Sequence, residues 1–189
     1  MKIVLASGSP RRRELLLMVG IKECEVRPDT SAESVAPDLS PERAVCAIAL
    51  QKAKNISRLC DFDDIIIAAD TLVYLDGRPL GKPDGQAGAA KMLRELSGKR
   101  HTVCTGVALM GNGTHVTGAE ATDVYFRDIS DSEIAAYVKT GEPLDKAGAY
   151  GAQGRGAVFI ERINGDFFNV MGLPLCRLSV MLRNFGVFL

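Results

Sequence analysis

The chain has 189 residues, of which 47% are hydrophobic and 24% charged, an ordinary globular composition that excludes disordered and collagen-like classes. Lysine plus arginine and aspartate plus glutamate number 23 each, so no global positive field exists to hold a nucleic acid, and any anion site must be local. A chain of this length can bury about two thirds of its surface, which suits one domain over 1–189, alone or as a homodimer.

In chain order the pattern predicts a strand at 2–6, a helix at 10–19, a strand at 23–27, a helix at 41–59 and a buried strand at 64–69. A hairpin through Asp76-Gly77 follows, then a helix at 85–96 stopped by Ser97-Gly98. Two long strands, 101–110 and 114–126, flank the turn Gly111-Asn112-Gly113, and a helix is expected over 130–139. A glycine-rich segment at 148–156, a hairpin about Asn164-Gly165 and a helix over 174–184 complete the chain. Helix starts are marked by Ser9-Pro10, by Ser40-Pro41 and by the capping box Ser130 to Glu133. The alternation of apolar runs with amphipathic segments is an α/β pattern.

The longest apolar runs, such as 65–69 and 187–189, fall far short of the ~20 residues of a membrane helix, so no membrane partner is expected. The opening residues read as a strand rather than a leader, because the apolar run ends before Pro10 and three arginines. Five widely spaced cysteines without a Cys-x-x-Cys argue against a disulfide framework or a zinc site and for a reducing, cytoplasmic setting. His101 and His115 have no second ligand at metal spacing.

Three places could carry chemistry. At Ser7-Gly8-Ser9-Pro10-Arg11-Arg12 a buried strand turns into a helix, where backbone N–H groups, the helix dipole and two guanidinium groups can hold a phosphate. The alternative is a solvated helical turn, but arginines there oppose the dipole unless an anion relieves them. Walker and dinucleotide glycine fingerprints are absent. The apolar run Ile65-Ile66-Ile67-Ala68-Ala69 ends in Asp70-Thr71, which puts a carboxylate where a hard cation or an attacking water could be bound, or merely where a turn is capped. Lys82, in Gly81-Lys82-Pro83, could offset phosphate charge, as could Lys52 on the 41–59 helix, although a snorkelling stem is the bland reading for Lys52. Glu33, in the polar loop 29–38, could join Asp70 on a metal. The third place runs from Glu142-Pro143 to Gly154, where glycines permit close approach and Gln153 offers a donor and an acceptor to a base edge; the alternative is a flexible loop.

Taken together, Ser7-Gly8-Ser9-Pro10-Arg11-Arg12-Arg13-Glu14-Leu15-Leu16, Gln51-Lys52-Ala53-Lys54, Ala69-Asp70-Thr71, Gly81-Lys82-Pro83, Leu96-Ser97-Gly98, Glu142-Pro143 through Gly154 and Asn169-Val170-Met171-Gly172-Leu173-Pro174 resemble the Maf family of nucleotide pyrophosphatases, in family order over nearly the whole chain. The resemblance implies an elongated α/β fold with a mixed sheet, flanking helices and a cleft between two lobes. It also implies a divalent cation, Mg²⁺ or Mn²⁺, and hydrolysis of a nucleoside triphosphate to monophosphate and pyrophosphate. By it Asp70 is the catalytic proton acceptor; Arg11, Thr71 and Gln153 select substrate; Ser7, Arg12, Lys52 and Lys82 line the nucleotide site; and Glu33 falls near a loop acid. The stretch from Asp145 to Gly151 is similar to the branch acting on dTTP and UTP, with Ala152 where isoleucine is usual. A nucleotide-sensing regulator of cell division, keeping the phosphate cradle without catalysis, is the rival reading.

Overall fold

The computed structural model describes residues 1–31 and 39–189. Seven strands make one mixed sheet: β1 (Ile3–Leu5), β2 (Cys24–Val26), β3 (Ile65–Leu75), β4 (Arg78–Leu80), β5 (Arg100–Gly111), β6 (Thr114–Phe126) and β7 (Ile160–Asn164). The order is β2-β1-β3-β5-β6-β7, with β4 paired to β3 off this path. Strands β2 and β3 run parallel to β1 on either side of it, whereas β4 and β7 pair antiparallel with β3 and β6. Flanking helices are α1 (Pro10–Met18), α2 (Pro41–Ser57), α3 (Gly85–Leu96), α4 (Asp131–Lys139), α5 (Phe167–Met171) and α6 (Leu175–Leu182). The expected α/β class with a mixed sheet and flanking helices is the one observed.

Two elements differ from the sequence pattern. The strand expected to stop at residue 69 continues as β3 to Leu75, because its second half pairs with β4 through a two-residue turn in which Asp76 (φ 51°) and Gly77 (φ 77°) are both left-handed. Asp70 therefore sits in mid-strand rather than at a strand end. No hairpin forms about Asn164-Gly165. Strand β7 pairs back to β6, with Asp123 opposite Asn164. The chain then enters α5 as the Phe168 N–H donates to the Asp166 carboxylate at 2.7 Å, a side-chain cap that competes with the turn signal of Asn-Gly.

The chain divides into two compact units. The first comprises Met1–Asp70, Thr105–Glu120 and Gly172–Leu189; the second comprises Thr71–Cys104 and Ala121–Met171. In the first, small residues let α2 lie close on the sheet: Val4 and Ala6 of β1, Ala49, Ala53 and Ile56 of α2, Ile66 and Ala68 of β3, and Ala108 of β5 form one buried cluster. Approach is closest at Gly106, where a Cβ would lie 2.3 Å from the Val45 carbonyl carbon. In the second unit α3 and α4 bury Leu93, Leu96, Ile134 and Tyr137 with Val103, Val124, Phe126 and Phe159. Ser130 closes a full capping box with Glu133 at the start of α4. No helix among the described residues is long and apolar enough to cross a membrane.

Candidate active site

In the first unit four elements, β1, α1, α2 and β3, bring the polar groups together. Leu5 of β1 pairs with Ile67 of β3, and the Ala6 N–H donates to the Ile67 carbonyl at 2.8 Å, so the chain runs on into Ser7 alongside residues 69–70. There Ser7 is buried. Its Oγ accepts from the Ser9 N–H at 3.2 Å and from Arg12 Nη1 at 3.1 Å, which leaves its own O–H free to donate to an incoming acceptor. Arg12 is held in place because its Nε also donates to the Gly172 carbonyl at 2.8 Å. Helix α1 begins at Pro10 with no side-chain cap and no acidic residue in its first turn. Arg11 lies half-buried on that turn. Uncapped N–H groups, a directed hydroxyl and a fixed guanidinium thus share one helix start, an arrangement suited to a phosphate.

Asp70 shares the face of β3 with Ile66 and Ala68, the face that α2 covers. Lys52 of α2 reaches it, its Nζ donating to Asp70 Oδ1 at 2.7 Å, with the two side chains only 13% and 10% exposed. The snorkelling alternative for Lys52 does not hold: its charge faces a carboxylate inside the protein rather than water. The pair matters because each charge supplies part of what the other lost in leaving solvent. Thr71 follows half-buried on the opposite face, as the pleat requires. Among the described residues no group of three His, Cys, Asp or Glu could hold a metal ion, so an all-protein cage is not offered there. Glu33, expected as a partner of Asp70, lies outside the described residues.

The second unit begins at Thr71 and also holds Lys82 and Gln153. The Gly148 N–H donates to the Gly81 carbonyl at 3.1 Å, joining the Gly81-Lys82-Pro83 turn to the glycine-rich segment. Gly148 is left-handed (φ 69°), and a Cβ there would lie 3.0 Å from Val73, so this glycine is required by both conformation and space. Lys82 and Gln153 are exposed.

Two further polar groups of this unit are buried. Asn169 is fully buried and donates to the Val103 carbonyl and to Thr122 Oγ1, both at 2.9 Å. His101 is 2% exposed, with Nε2 2.8 Å from the Tyr150 hydroxyl and its ring edge-on to Phe126. Burial drives its pKa down to about 4, against the opposing pull of Asp123. A structural role fits His101, and His115 is exposed on β6.

Residues 2–185 match the Maf family, described as Maf-like protein. The chain belongs to the Maf family. It is 50% identical over 188 residues to the dTTP/UTP pyrophosphatase of Moorella thermoacetica, covering 98% of this chain and 96% of that protein. It is 45% identical over 190 residues to the dTTP/UTP pyrophosphatase of Caldicellulosiruptor saccharolyticus, covering 98% and 95%. Among solved structures, a nucleoside-triphosphatase / dITP/XTP pyrophosphatase from Mycobacterium abscessus shows a TM-score of 0.46 at 18% identity, covering 97% of this chain and 94% of that one, a likeness too loose to carry an argument. The Maf family motifs at Ser7 to Leu16, at Lys52 and at Asp70 are those that the first unit gathers along neighbouring strands and α2.

Proposed function

We propose that this Maf family chain is a nucleoside triphosphate pyrophosphatase acting on dTTP and UTP, releasing the monophosphate and pyrophosphate. The observation that carries the proposal is the mostly buried Asp70–Lys52 pair, held on the strand next to a helix start built for phosphate. Curated relatives at 45–50% identity bearing that activity in their names support it.

The roles follow from the chemistry of each group. Uncapped α1 N–H groups, the Ser7 hydroxyl and the Arg12 guanidinium bind phosphate oxygens, and Arg11 adds a second guanidinium. Asp70 accepts the proton of the attacking water through the carboxylate, which β3 holds without further reorganisation. Lys52 sets the orientation of that carboxylate and adds positive charge near the phosphoryl oxygens, which carry the negative charge in the transition state. Lys82 offsets phosphate charge. The Gln153 amide can donate to a pyrimidine carbonyl and accept from a ring N–H, and Thr71 joins it and Arg11 in substrate selection. Asp70 fits a Mg²⁺ or Mn²⁺ ion as a single oxygen ligand, since Mg²⁺ takes one or two carboxylates and completes its shell with substrate phosphate and water. Glu33 is the proposed second acid. When bound, the ion neutralises phosphate charge and favours ionisation of water.

Balanced charge leaves nucleic acid outside the set of partners, five free cysteines suit the cytoplasm, and a homodimer would keep the same roles in each copy. The test is pyrophosphate release from dTTP, UTP, CTP, GTP and 7-methyl-GTP with Mg²⁺ or Mn²⁺, for wild type and Asp70→Asn. Turnover of dTTP and UTP is expected in wild type. In the variant kcat should fall by about 10²-fold or more while nucleotide binding changes far less. Nucleotide binding without turnover in the wild type would defeat the proposal in favour of a sensor.

A further inference from the structure

The glycine-rich segment is not a loose loop, and the reason is Glu142. This residue opens the first of the three short 3₁₀ turns between α4 and β7, and its carboxylate is turned back under the segment that carries Gln153. Oε1 accepts from the Tyr137 hydroxyl at 2.9 Å and from the Gly156 N–H at 3.2 Å, and Oε2 accepts from the Arg155 N–H at 2.9 Å. The Tyr137 hydroxyl in turn accepts from the Gly151 N–H at 3.2 Å. Lys146 closes the ring from the other side, donating to the Glu142 carbonyl at 2.6 Å.

Spacing of the glycines follows from this. A Cβ at Gly154 would lie 2.6 Å from Glu142 Oε1, and one at Gly156 would lie 2.7 Å from the Tyr137 hydroxyl. The main chain is wrapped around an anion, which tethers it at Gly151 through Tyr137 and at Arg155 and Gly156 directly. Gln153 lies exposed between those tethers. Burial alone would push the Glu142 carboxyl up, but the Arg155 N–H, the Tyr137 hydroxyl and the Gly156 N–H hold it below its ordinary value, so the acceptor stays charged where the tethers need it.

We propose that Glu142 is a positioning residue for base selection: it fixes the main chain on both sides of Gln153, so that the amide meets a uracil-type edge in one pose. The inference rests on the reading that Gln153 contacts the base. It deepens that reading because an amide serves a uracil edge or, after a half-turn, a cytosine edge; discrimination between them depends on how firmly the amide is held.

The experiment compares wild type, Glu142→Gln, Tyr137→Phe, Gln153→Ala and the Glu142→Gln/Gln153→Ala double variant in steady-state hydrolysis of dTTP, UTP and CTP. Glu142→Gln should raise KM for dTTP and UTP roughly tenfold, the scale of a lost hydrogen bond to a charged group. It should change kcat less than KM, and narrow the preference over CTP. Tyr137→Phe, which removes the hydroxyl that donates to Glu142 and accepts from Gly151 but keeps the ring, should move the same quantities in the same direction, and it carries the test should Glu142→Gln fail to fold. The double variant should be no worse than Gln153→Ala, because a positioning residue has nothing left to position. Equal losses for all three nucleotides, or additive losses in the double variant, would overturn the role of Glu142. A wild type that hydrolyses dTTP and UTP, with selectivity altered by Gln153→Ala but not by the Glu142 and Tyr137 variants, defeats this inference alone. A wild type that hydrolyses neither nucleotide defeats the functional reading and the inference with it.

Discussion

Lys52 and Asp70 behave as one unit, and their coupling can be measured. Lys52→Met and Asp70→Asn should each destabilise the protein, and the pair of substitutions should cost less than the sum, with a coupling energy of about 1–3 kcal/mol in a double-mutant cycle followed by urea unfolding. A coupling near zero would show that the 2.7 Å contact carries no energetic weight. His101 gives a second prediction. Its folded pKa is lowered from 6.5 to about 4, so between those values the unfolded chain binds a proton that the folded protein refuses. Stability therefore rises with pH across that window, and about 3 kcal/mol present at neutral pH is lost on acidification toward pH 4. The fall in Tm between pH 7 and pH 5 should shrink in His101→Gln, which keeps a polar group beside Tyr150 but does not titrate. Residue type was enough to single out Asp70, Ser7 and Arg12 as candidates, because a polar group at an expected strand or helix boundary can meet a ligand. It was not enough for Glu142 or Asn169, whose partners are mostly main-chain groups that no sequence pattern displays.

Helices were more legible than strand ends. Ser40 accepts from the Arg43 N–H at the start of α2, and Ser130 with Glu133 closes its box. These caps announce themselves because the signal and the structure are the same few residues. Ser130→Ala should cost about 1 kcal/mol, read as a shift in the denaturation midpoint. Strand β3 was cut short in the sequence pattern because Asp-Thr looks like a turn, and only pairing with β4 shows that the ladder continues. Gly106 of β5 was invisible for the same reason: its need for glycine comes from α2, far away in sequence. Gly106→Ala should destabilise by about 3 kcal/mol, the scale of overpacking, and by displacing α2 it should also lower turnover. Unchanged stability and kinetics in this variant would refute the close approach at Val45.

At the scale of the molecule, the α/β class followed from alternating apolar runs, but the division into two units did not. The chain passes from one to the other after Asp70, Cys104, Glu120 and Met171, so neither unit is a continuous segment, and hydrophobic patterning reports only local neighbours. A fragment ending at residue 70 should show no cooperative thermal transition by circular dichroism, since it lacks the β5 and β6 residues of its own unit. The position of Asp70 inside β3 also bears on how this chain could change over generations. A group fixed in the middle of a paired strand can be re-aimed only by shifting the sheet, whereas the exposed side chains of the turns at 81–83 and 148–156, such as Lys82 and Gln153, can be exchanged without moving a strand. Selection of this protein for an unfamiliar nucleotide should collect its changes in those turns and leave 65–70 untouched, so that the chemistry stays constant while the choice of base drifts.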